Sequence, residues 1–217
     1  MGNGRTELVF ILDRSGSMAG LESDTIGGYN AMLAKQKAEP GECRITTVLF
    51  DDNYKLLHDR IDIRAVDPIG PEQYFVGGTT ALLDAIGRTI HKIGNAQKYT
   101  APGYRADKVM FVIITDGEEN ASREYSLDRV KRLIESQKAK YGWEFVFLGA
   151  NIDAVQTASQ FGIGADRAQN FVPDGAGVRL NFAAVGEAVS RVRRGARLDD
   201  EWKREIDEDF RRRGGRR

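Results

Sequence analysis

Three oxygen-bearing side chains stand at alternate positions near the start of the chain: Asp13, Ser15 and Ser17, in the run Asp13-Arg14-Ser15-Gly16-Ser17-Met18. Carboxylate and hydroxyl oxygens are hard donors. They suit a hard divalent cation such as Mg2+, with Mn2+ or Ca2+ as alternatives, and suit zinc or copper poorly. The run follows directly on Leu8-Val9-Phe10-Ile11-Leu12, an apolar, β-branched and aromatic stretch that reads as a buried strand. Alternation along that strand is expected to send the three oxygens to one side of its carboxyl end. Asp and Ser after a strand also cap helices, so this loop taken alone fits a structural role equally well.

Two further segments place oxygen donors at the ends of elements. Gly77-Gly78-Thr79-Thr80 precedes the helix-spaced apolar positions Leu82, Leu83, Ala85, Ile86 and Ile90, so a glycine turn delivers hydroxyls to a helix start. Lys108-Val109-Met110-Phe111-Val112-Ile113-Ile114-Thr115 is the longest apolar β-type run and reads as a strand buried on both faces; Asp116-Gly117 follows it. With these three elements in this order, the chain resembles the von Willebrand factor type A domain family over about residues 5 to 195. That family's metal-ion-dependent adhesion site combines Asp-x-Ser-x-Ser after the first strand, a threonine in a glycine-rich loop, and an aspartate after the fourth strand.

The resemblance assigns Asp13, Ser15, Ser17 and Asp116 as metal-site residues, with Thr80 preferred to Thr79 because the Thr-Ala-Leu-x-Asp-Ala helix register points to it. It implies that the hydroxyls hold the cation directly while the aspartates act largely through water. A Mg2+ so held stays electron-poor, and a carboxylate from a partner protein can complete its shell. The implied function is a non-enzymatic, divalent-cation-dependent protein-binding module. A competing reading is a metal-dependent hydrolase or phosphatase of the haloacid-dehalogenase type. That chemistry needs a second aspartate two residues after the nucleophile, where this chain has Ser15. A third is a scaffold that retains the motif for folding.

The elements that must position these residues alternate. Strands are expected at 8–12, 44–50, 54–58, 108–115, 143–149 and 169–172, and helices at 25–37, after 80, around 127–134, at 153–161 and from about 177 past 192. Ser23 or Asp24 is the expected cap of the first helix. The turn Asp51-Asp52-Asn53 makes the third strand a hairpin partner at a sheet edge, with both aspartates solvated. The fold class is therefore α/β: a doubly wound, mostly parallel sheet with one antiparallel edge strand and helices on both faces. Ligands in such sheets bind outside the strand carboxyl ends, where the strand order reverses.

Composition narrows the remaining classes. The chain has 217 residues, 41% of them hydrophobic, which supports one well-buried core. Lys plus Arg and Asp plus Glu both number 32, so no global field recruits nucleic acid or an anionic membrane. A single cysteine, Cys43, and two histidines, His58 and His91, provide neither a disulfide framework nor the usual zinc cage. With no apolar run long enough to span a bilayer and no signal-type leader, a soluble cytoplasmic protein is expected. Met1 to Thr6 fits a loose myristoylation pattern and reads more simply as a leader.

The domain is expected to span residues 1–195, with 196–217 forming an amphipathic helix and an Arg-rich disordered tail. Leu198, Trp202, Ile206 and Phe210 recur every four residues as one apolar ridge, either docked on the domain or free for a partner. Arg211 to Arg217 is the only segment that offers nucleic acid a contact.

Overall fold

The computed structural model describes residues 4–213. Its six-stranded sheet has the order β3-β2-β1-β4-β5-β6, built from β1 (Thr6–Asp13), β2 (Cys43–Phe50), β3 (Tyr54–Asp62), β4 (Lys108–Thr115), β5 (Glu144–Gly149) and β6 (Ala168–Asn170). All neighbours are parallel except β2 and β3, so the antiparallel edge strand is where the turn chemistry of Asp51-Asp52-Asn53 places it. Interleaved helices are α1 (Glu22–Ala38), α2 (Leu82–Tyr99), α3 (Leu127–Tyr141), α4 (Ala154–Gln160), α5 (Gly175–Arg193) and α6 (Arg204–Arg212).

The two-residue period of the strands divides the core. Leu8, Phe10 and Leu12 of β1 pack with Tyr29, Met32 and Leu33 of α1 and with Val178 to Val192 of α5. Val9 and Ile11 face the other way, toward α2, Val130 and Ile134 of α3, and Ala154 and Ala158 of α4. Every residue of β1 is buried, which is why Leu8 to Leu12 are continuously apolar and why Glu7, buried before them, is paired with Arg60 at 2.9 Å. Helix ends follow local chemistry: Asp153 and Asp174 accept backbone N–H bonds at the starts of α4 and α5, and Gly142, at φ +65°, ends α3. Among the described residues, no helix is long and apolar enough to cross a membrane.

Two expectations need correction here. Helix α1 begins at Glu22 rather than at Ser23 or Asp24, and Leu21 precedes it without a side-chain cap. The turn at residues 16–18 runs straight into the helix, so the Met18 and Leu21 carbonyls receive the Leu21 and Thr25 N–H groups and no capping side chain is needed. The Arg-rich segment is ordered through Arg213. Arg211 pairs with Asp207 at 2.6 Å, Arg212 with Asp209 at 2.8 Å, and Arg213 with Asp209 and Asp174. Residues 1–3 and 214–217, at the ends of the leader and tail, lie outside the described residues.

The apolar ridge packs on the domain. Leu198, Trp202 and Ile206 are buried in the cluster shared by α1 and α5, and the Trp202 indole donates to the Asp166 carbonyl at 2.9 Å. Phe210 is half-buried. Removing a buried indole leaves a cavity that surrounding side chains fill only in part. Trp202→Ala is therefore expected to cost about 3–5 kcal/mol, read as a lower denaturant midpoint. A midpoint within error of wild type would mean that the segment does not contribute to the core.

Candidate functional site

β1 and β4 are neighbours, and the chain leaves them toward opposite edges of the sheet, so the crevice of the strand-order reversal opens above their carboxyl ends. Asp13 ends β1 and Asp116 follows β4; both side chains are buried. Asp13 is held by three donors. Its Oδ1 accepts from the Ser15 N–H at 2.7 Å, and its Oδ2 accepts from the Thr115 hydroxyl at 2.6 Å and the Asp116 N–H at 3.3 Å. The Tyr74 hydroxyl fixes the same residue's carbonyl at 2.6 Å.

After Asp13 the chain leaves the strand, so alternation is not what gathers the serines. Gly16–Met18 form a 3-10 turn closed by Met18 N–H to the Ser15 carbonyl at 3.0 Å. This turn brings the Ser15 and Ser17 hydroxyls 3.0 Å apart. The glycine loop is tied alongside by Gly16 N–H to the Gly78 carbonyl at 3.1 Å and Gly77 N–H to the Arg14 carbonyl at 2.9 Å. Gly78 has φ +70°, and a Cβ there would lie 2.1 Å from Asp52 Oδ1, so only glycine makes this approach. Beyond it Thr79 is exposed and Thr80 is buried. A Cβ built on Gly117 would lie 3.2 Å from Ser17 Oγ and 3.7 Å from Thr80 Oγ1, so both hydroxyls flank the residue after Asp116. Asp13, Ser15, Ser17, Thr80 and Asp116 thus share one crevice.

Several further residues position this group. Asn120 Oδ1 accepts from Thr80 N–H at 2.9 Å, and Asn120 N–H donates to the Thr80 carbonyl at 3.0 Å, so one asparagine clasps the threonine's backbone from both sides. Glu119 Oε2 accepts from Leu83 N–H at 2.8 Å in the first turn of α2. In return, Asp84 accepts the N–H groups of Arg123, Glu124 and Tyr125 at 2.8–2.9 Å. The threonine and Asp116 loops are therefore stitched into one body. Asp51, expected to be solvated, is buried against Arg14 at 2.9 Å, beneath the exposed ring of Phe75. The histidines lie elsewhere: His58 bonds Thr47 at 3.0 Å and His91 bonds the Tyr125 hydroxyl at 2.7 Å.

The donor set suits a hard cation. Adjacent oxygens lie about 2.9 Å apart around octahedral Mg2+ and about 2.7–3.1 Å apart in the pentagonal girdle of Ca2+. The Ser15 and Ser17 hydroxyls, hydrogen-bonded to each other at 3.0 Å, are spaced for either ion. Among the described residues, no three His, Cys, Asp or Glu side chains cluster as metal ligands, so a cation in the crevice would depend on hydroxyls.

No family model matches the chain, and neither does any curated protein. Solved structures do. A von Willebrand factor type A protein from Catenulispora acidiphila superposes with TM-score 0.58 at 16% identity, over 86% of this chain and 42% of that one. The fold is that of a von Willebrand factor type A domain. The ArnB paralog VWA2 from Sulfolobus acidocaldarius gives 0.55 at 19%, over 86% and 45%. Proximal thread matrix protein 1 from the mussel byssus, with a zinc-occupied MIDAS motif, gives 0.57 at 16%, over 87% and 46%. The chain spans less than half the length of each of these three.

In this type A fold two buried carboxylates share one crevice. Burial holds the Asp116 carboxyl above its usual range, against the hydrogen bond from Asn151, and the nearby charge of Asp13 adds to the rise. A raised folded-state value means that the contribution to stability is full at low pH and is lost as pH climbs through it. In EDTA, Asp116→Asn is therefore expected to melt above wild type at neutral pH, with the gap closing as pH falls toward the ordinary carboxylate value of 3.8. A gap independent of pH would mean that the burial of charge is not its cause.

Proposed function

We propose that this chain is a divalent-cation-dependent protein-binding module, in which a Mg-type ion in the crevice accepts a carboxylate from a partner protein. The observation that carries the reading is the direction in which the carboxylates are already engaged. Both oxygens of Asp13 and one of Asp116 accept hydrogen bonds from the protein, while three hydroxyls remain as the neutral donors of the crevice. Ser15, Ser17 and Thr80 would hold the ion, and Asp13 and Asp116 would offset its charge from behind the first layer of ligands. An ion bound mainly by neutral oxygens keeps much of its positive charge, which favours an acidic side chain from outside. The zinc-occupied MIDAS motif of the mussel protein, a chain of similar fold, supports divalent-metal binding.

A non-catalytic role fits the same arrangement. Attack by Asp13 would require one of its oxygens to leave a donor, and neither histidine is near the crevice to act as a general base. We place the module in the cytoplasm. Its free cysteine is buried, and burial pushes the Cys43 thiol up to about 11, which suits a chain that makes no use of disulfides.

Titration calorimetry with Mg2+ and Mn2+ tests the proposal. Wild type is expected to bind one ion, and the double variant Asp13→Ala with Ser15→Ala to lose the heat. A bound ion at 100 times its Kd should also stabilise wild type by about 2.7 kcal/mol. Equal heats from both proteins would exclude this crevice as the binding site.

A further inference from the structure

The geometry points to Asn151 as a fourth-loop positioning residue of the cation site, one that sets both its affinity and its preference for Mg2+ over Ca2+. This rests on the proposal that the crevice binds a cation. Asn151 lies just past β5, the strand next to β4, where Thr115 pairs with Gly149 and Ala150 N–H donates to the Thr115 carbonyl at 3.1 Å. The chain there is thus laid beside Asp116. The Asn151 side chain is largely exposed, yet its amide Nδ2 donates to Asp116 Oδ1. Its backbone has φ +55°, a left-handed conformation that, among the described non-glycine residues, only Arg60 shares. A side chain beyond glycine at this φ costs conformational energy, and here the cost coincides with one bond, to the carboxylate of the crevice.

The loop that presents Asn151 has little freedom. A Cβ on Gly149 would lie 2.8–3.0 Å from Ala154 and Ile152, so the turn is drawn tightly onto α4. Ala154 N–H is held by Asn170 Oδ1 at 2.7 Å, and Asp153 caps the helix through Gln156 N–H at 2.9 Å. The amide therefore meets Asp116 from a fixed direction and orients its carboxylate before any ion arrives. Oδ1 keeps a second lone pair, so a cation using that oxygen would compete with the amide for its placement rather than be barred from it. Ca2+ favours six to eight oxygens and often takes a carboxylate through both, whereas Mg2+ is satisfied with one. By holding Oδ1, Asn151 disfavours the bidentate mode that would suit the larger ion.

The test uses Asn151→Gly, which removes the amide but adopts the left-handed backbone without strain, and Asn151→Asp, which replaces the donor with a third carboxylate. Calorimetry with Mg2+ and with Ca2+ and a thermal melt in EDTA are run on the full chain. Asn151→Gly should still unfold cooperatively in EDTA, at a somewhat lower temperature because Asp116 loses a donor, and should bind Mg2+ about tenfold more weakly, as for other residues that orient metal ligands, with the Ca2+ to Mg2+ affinity ratio raised. Asn151→Asp should shift that ratio further toward Ca2+. Unchanged affinity and ratio in Asn151→Gly, with wild type binding normally, would overturn the role of Asn151 and leave the site standing. A wild type that binds neither ion would overturn both.

Discussion

The structure turns on the burial of two carboxylates, Asp13 and Asp116, set at the ends of adjacent central strands. Charges in a water-poor crevice are costly unless donors or a cation answer them. The surrounding chain supplies donors from every direction: the Ser15 and Asp116 N–H groups, the Thr115 hydroxyl and the Asn151 amide. These bonds are the reason the loop after β1 turns as it does, and they draw the loops after β4 and β5 to the same point. The burial that lifts Asp116 above its usual ionisation range shows that the donors offset the charges only in part. An ion in the crevice would complete what they begin.

Rigidity follows from how the loops are joined. The glycine loop is bonded to the turn at residues 16–18, the threonine is clasped by Asn120, and Glu119 and Asp84 exchange backbone bonds between the Asp116 loop and α2. A site assembled in this way presents its hydroxyls at a set spacing rather than gathering them around an ion.

The sheet was largely legible in the sequence, because strands buried on both faces must be continuously apolar and turns need glycine, asparagine or aspartate. Lys108 to Thr115 could be read residue for residue for that reason. Asp13, Ser15, Ser17, Thr80 and Asp116 could be singled out because they stand at or just beyond the ends of such elements, and the structure brings them together. How they converge was not: a 3-10 turn, rather than strand alternation, brings Ser15 and Ser17 together. Asn151 and Arg14 escaped notice because each acts on a residue some 35–37 positions away, through loops that have no periodicity of their own. Charge alone likewise misread Arg211 to Arg213, whose partners Asp207, Asp209 and Asp174 decide their order.

The most direct measurement is the anomalous scattering of Mn2+ in a crystal of the full chain. The account predicts one strong peak in the crevice, within about 2.3 Å of the Ser15 and Ser17 hydroxyls, with Thr80 or a water between it and Asp116 completing the near ligands. A peak bound directly by both Asp13 and Asp116 with the serine hydroxyls beyond bonding distance, or no peak in the crevice at all, would contradict it.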